Sequence, residues 1–87
     1  MLWPALQRLN LNINSLGPAG AAALAAAAWP SLQVLWLGAN NLGDAGAAAL
    51  AAAHFPALQK LYLYANGISG EGRALLQARW PTARITV

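Results

Sequence analysis

The sequence predicts an α/β solenoid: strand-and-helix units stacked in one direction, with a parallel sheet on one side and α-helices on the other. Two observations predict it. One pattern starts at Trp3, again at Trp29 and again at Phe55, each time 26 residues on, and a shortened copy starts at Trp80. A fixed period of this size means units that bury their apolar faces against their neighbours. Each unit also changes its hydrophobic period half-way, from the alternation of a strand to the spacing of a helix. Strands that recur with a helix between them must pair in parallel. The units run 3–28, 29–54, 55–79 and, in part, 80–87, and form a single array over residues 1–87.

The first half of each unit carries leucines in the order LxxLxLxxN. They are Leu6, Leu9 and Leu11 closed by Asn14; Leu32, Leu35 and Leu37 closed by Asn40; and Leu58, Leu61 and Leu63 closed by Asn66. The Leu-x-Leu core of this pattern is a short strand with one face buried, which places strands near 8–10, 34–36 and 60–62. The second half is alanine-rich and favours helix, near 18–28, 44–53 and 71–79. Gly17, Gly43 and Ser69 fall at the expected N-caps. Pro18 follows at the first helical position, and Asp44 and Glu71 face the positive helix end. Leu24, Leu50 and Leu76 share one position inside the helices. Trp29, Phe55 and Trp80 each precede a proline, which ends the helix and starts the next strand.

The residues LQRLNLNINSLGPAG, LQVLWLGANNLGDAG and LQKLYLYANGISGEG resemble the leucine-rich repeat family over essentially the whole chain. The NLGDAG and NGISGEG turns, followed by an alanine-rich helix, are similar to its ribonuclease-inhibitor-like or GALA-type subclass. The resemblance implies a short right-handed horseshoe with the sheet concave and the helices convex. It implies a structural ladder for Asn14, Asn40 and Asn66, and a concave face formed by the positions between the strand leucines. A short gap places Ile85 and Val87 on the Leu-x-Leu of a fourth strand.

Composition narrows the function. Hydrophobic residues make up 59% of the 87, charged residues only 8%, and the formal charge of +3 rests on five basic residues against two acidic ones. That is sparse for nucleic acid, which needs clustered Lys and Arg. No cysteine is present, so thiol chemistry and disulfides are excluded. Polar residues and prolines interrupt the uncharged stretch between Arg8 and Asp44, so it does not read as a membrane span. The only carboxylates are Asp44 and Glu71, and Ser15, Ser31 and Ser69 have no base beside them in the repeat. An activated nucleophile needs one, and the expectation is a non-catalytic chain with no cofactor. The sole histidine, His54, has no Cys, Asp or Glu at ligand spacing, so no metal is expected. The recurring glycine pairs lack the Lys-Ser or Lys-Thr of a phosphate loop and read as tight turns.

Functional signal lies where the units differ. The position before the second strand leucine reads Arg8, Val34, Lys60 and Arg84. The position inside Leu-x-Leu reads Asn10, Trp36, Tyr62 and Thr86, and the one after it Asn12, Gly38 and Tyr64. The candidate partner-binding residues are Arg8, Asn10, Val34, Trp36, Lys60, Tyr62 and Tyr64. Trp36, Tyr62 and Tyr64 should stand largely exposed, whereas Trp29 and Phe55 should be buried in a core column with Trp3 and Trp80. Aromatic and basic residues together make binding hot spots. The expected function is a protein-interaction module within a longer array, with a protein partner, no membrane and a cytoplasmic location. Two alternatives stand beside it: a purely structural repeat segment, and a weak carbohydrate or nucleic-acid binder using the aromatics as a stacking platform. Neither the opening Met1, Leu2 and Trp3 nor the closing Ile85, Thr86 and Val87 supplies a polar cap, so end-to-end self-association is also expected.

Overall fold

A computed structural model describes residues 5–87. Trp3, with Met1, Leu2 and Pro4, lies outside the described residues, so its place in the aromatic column is left open. The elements run β1 (Arg8–Asn10), α1 (Gly17–Ala26), β2 (Val34–Trp36), α2 (Gly43–Ala51), β3 (Lys60–Tyr62), α3 (Gly70–Arg79) and β4 (Arg84–Thr86). The strands form one sheet in the order β1-β2-β3-β4, every pair parallel. The helices pack side by side in the same order. This is the expected α/β solenoid, and the three expected strands fall where the leucine pattern puts them.

Strand pairing is short but continues past each strand. Leu11 N–H donates to the Trp36 carbonyl at 2.8 Å, Leu37 to Tyr62 at 2.8 Å and Leu63 to Thr86 at 2.6 Å. Between sheet and helices lies the core, in which Leu32, Leu35, Leu37, Leu50, Leu61, Leu63 and Leu76 are fully buried. Each such leucine contributes about 1.5–3 kcal/mol. The alanines have a matching role. Ala21 and Ala47 are fully buried, and their small size lets neighbouring helices lie close. Trp29, Phe55 and Trp80 are buried as expected. Phe55 and Trp80 stack with centroids 5.5 Å apart, and Trp29 Nε1 donates to the Leu24 carbonyl at 2.8 Å.

Helix starts depart from the expected caps. Ser69 does cap α3, its hydroxyl accepting from Glu71 N–H at 3.2 Å. In the first two units the cap residues are Leu16 and Leu42, one position earlier than expected and without a side-chain cap bond. Gly17 and Gly43 open the helices at φ of +65° and +60°, a conformation that glycine adopts without a Cβ clash. The neighbouring unit's asparagine does the capping: Gly17 N–H donates to the Asn40 carbonyl at 2.9 Å and Gly43 N–H to that of Asn66 at 2.8 Å. Helix ends also shift. Trp80 is the C-cap of α3, but α1 and α2 stop at Ala26 and Ala51, three and four residues before their aromatic. The third unit is one residue shorter, and its helix runs straight into the turn.

Candidate interaction face

The asparagine column is structural. Asn40 Oδ1 accepts from Asn14 N–H at 2.8 Å and from Leu16 N–H at 3.4 Å, while its amide donates to the Leu11 and Gly38 carbonyls at 2.8 and 3.2 Å. Asn66 repeats this one unit on, accepting from Asn40 N–H at 2.8 Å and Leu42 N–H at 3.2 Å and donating to Leu37 and Leu63 at 2.8 and 2.9 Å. Both are buried. With their hydrogen-bonding capacity spent on turn backbone, they have none left for a ligand.

On the opposite side of the strand leucines, register assembles the candidate residues into rows. Arg8 pairs with Val34, Val34 with Lys60 and Lys60 with Arg84; Asn10 pairs with Trp36, Trp36 with Tyr62 and Tyr62 with Thr86. All seven candidate residues lie on this one face. Arg8, Asn10, Lys60, Arg84 and Thr86 are exposed, and Val34 is half-buried. Parallel strands about 4.8 Å apart hold equivalent rings at stacking distance. Trp36 and Tyr62 accordingly stack, with centroids 5.6 Å apart and planes 14° from parallel.

That stack corrects one expectation. Trp36 and Tyr62 are half-buried rather than largely exposed, because each covers one face of the other. Tyr64 is exposed, at 42%, but it is not free. Its ring lies over Gly38, where a Cβ would collide with it. Its hydroxyl accepts from Asn12 Nδ2 at 2.8 Å, and Asn12 Oδ1 accepts from Gly38 N–H at 2.6 Å. Asn12 N–H in turn donates to Asn10 Oδ1 at 3.0 Å. Tyr64 therefore straps three units together. Asn12 and Gly38 were missing from the candidate residues, although the period signals them: the column Asn12, Gly38, Tyr64 sets a glycine beside a large ring.

The cations of the sheet face stand apart from both carboxylates. Arg8, Lys60 and Arg84 share the face. Asp44 and Glu71 sit in the first turns of α2 and α3. Asp44 accepts from Ser69 Oγ at 2.5 Å and from Ser69 N–H at 2.8 Å, and these bonds hold its carboxyl below the ordinary carboxylate value. Away from the face, the turns after α2 and α3 border a cleft of about 540 Å³ that includes His54, Arg79 and Trp80. Arg79 is already committed there, donating to the Ala53 carbonyl at 2.9 Å and lying 5.4 Å from the Trp80 ring centroid. Among the described residues no group of three or more metal-ligating side chains assembles, and no helix is long and apolar enough to cross a membrane. The groups on the sheet face can stack, donate hydrogen bonds and carry positive charge.

A family model described as Leucine Rich repeat matches residues 4–25 and 30–51, two stretches one period apart that together make half of the chain. No curated protein matches it. The matched stretches hold the strand leucines of the first two units, the ladder residues Asn14 and Asn40, all of α2 and all but the last residue of α1, so pattern and geometry agree: the chain belongs to the leucine-rich repeat family.

Proposed function

We propose that the chain is a non-catalytic protein-interaction module of the ribonuclease-inhibitor-like subclass, and that it binds through the sheet face. The observation that carries this reading is the Trp36–Tyr62 stack, standing in register beside the row of Arg8, Val34, Lys60 and Arg84. Aromatic side chains offer large contact area at little entropic cost, and arginines at their margin add directional bonds. Full α-helices opposite the sheet favour the subclass. Both carboxylates sit at helix starts, away from the stack, which favours recognition over chemistry.

Area sets the strength. Four strands about 4.8 Å apart and about five residues deep cover roughly 240 Å², against about 800 Å² per partner in a standard interface. The face alone supports weak binding or a share of a larger surface. Capture of protein partners from a lysate of the source cell tests the reading. The Trp36→Ala, Tyr62→Ala variant should keep its fold by circular dichroism and lose its captured partners. Unchanged capture by a folded variant refutes the assignment.

A further inference from the structure

The sheet face carries a lopsided charge. Of the five basic residues in the chain, Arg8, Lys60 and Arg84 stand in one register row, all exposed. Neither acidic residue lies near that row, since Asp44 and Glu71 open helices on the other layer. The other two basic residues lie on α3: Arg73, and Arg79, which has partners within the chain. Among the described residues, no hydrogen bond or ion pair engages the side chains of Arg8, Lys60 or Arg84. Lys60 and Arg84 are direct cross-strand neighbours, and like charges so placed oppose strand pairing. The fold thus tolerates a row of three cations, about 14 Å long, with no internal anion to compensate it.

We propose that this face takes an acidic protein segment: an extended peptide crossing the strands, its Asp or Glu carboxylates on Arg8, Lys60 and Arg84 and an apolar or aromatic side chain on the Trp36–Tyr62 stack. The proposal rests on the sheet face being the interaction face and adds the chemistry of its partner. Two of the three cations are arginines, whose planar fork meets a carboxylate with two parallel bonds. A nucleic-acid strand fits less well. The adjoining row of Asn10, Trp36, Tyr62 and Thr86 holds no cation, and three phosphate contacts alone give little affinity at physiological salt.

The test uses the immobilised chain and three probes: a glutamate-rich peptide with a central tryptophan, its lysine-rich counterpart, and an oligothymidylate. The acidic peptide should bind at least about tenfold more tightly than the basic one, and its affinity should fall several-fold as salt rises from about 50 to about 500 mM. Lys60→Glu with Arg84→Glu should reverse the preference, with the fold intact by circular dichroism. Equal binding of the two peptides, tighter binding of the oligothymidylate, or no effect of the charge reversal overturns the proposal. The Trp36→Ala, Tyr62→Ala variant separates the two readings. If peptides bind regardless of charge but lose binding in that variant, the aromatic face stands and the acidic partner falls. If the acidic peptide binds that variant undiminished, the charged row stands and the aromatic reading falls.

Discussion

Asn40 shows how much one side chain can carry. It is fully buried and serves the backbone of two units at once. Asn40→Ala strands buried groups at about 1–3 kcal/mol each, although Leu11 keeps the Asn14 amide as a donor. The expected loss is about 3 kcal/mol or more, enough to unfold much of so small an array. Asn14→Ala, at an exposed site, should cost about 1 kcal/mol, and denaturant melts of the two variants will show the contrast. Ile13 runs the other way. It is 80% exposed and sits at φ of +57°, where a β-branched residue is strained. Ile13→Asn should stabilise the chain by about 1 kcal/mol, because asparagine tolerates this region. A midpoint that falls instead would show that Ile13 makes contacts that offset its strain.

At the scale of elements, α2 and α3 are tied to one another through their first turns. Asp44 in α2 accepts two bonds from Ser69, which in turn caps α3. These bonds lower the Asp44 value in the folded state. A depressed carboxyl stabilises the fold at pH above its unfolded value, about 3.9 for aspartate, and that contribution is lost as pH falls through the lower folded value. The stability difference between the wild type and Asp44→Asn should therefore be constant near neutrality and shrink below about pH 4. Thermal melts across that range measure it, and a difference independent of pH would mean that the charge is not what joins α2 to α3. The turn from α3 to β4 has a comparable tie, in which Gln77 Nε2 donates to the Trp80 and Ala83 carbonyls at 3.0 and 3.1 Å.

At the scale of the whole molecule, the first unit is less buried than the second among the described residues. Leu6, Leu9, Leu11, Leu16, Leu24 and Trp29 border an open apolar cavity of about 560 Å³, and these leucines are half-buried where their counterparts in the second unit are fully enclosed. The sheet edges at β1 and β4 offer backbone groups for pairing. Association of copies through these edges should be weak, because β1 and β4 each span only three residues. Sedimentation should show mass rising with concentration, and Ala23→Glu, which puts a charge on the cavity wall, should suppress it. A single species at every concentration would show that the open end attracts no second copy.

The repeat alone determined the order of elements, the parallel sheet, the residues of every strand and the two columns of face residues. For β1, β2 and β3 these follow from a period of 26 and from strand alternation, which act locally and identically in each unit; β4 stands 24 residues after β3, and its Ile85 needs a short gap in the pattern. The ladder role of the asparagines was legible for the same reason, since one residue type recurs where each turn closes. Contacts between units were not legible. That Trp36 and Tyr62 shield each other, that Tyr64 crosses Gly38 to reach Asn12, and that Asn40 and Asn66 cap the preceding unit's helix in place of a local side chain all depend on residues about one or two periods apart in sequence. Only stacking at the strand spacing of about 4.8 Å brings them within reach, and which ring tilts over which neighbour is settled by the packed neighbours, which no single unit contains.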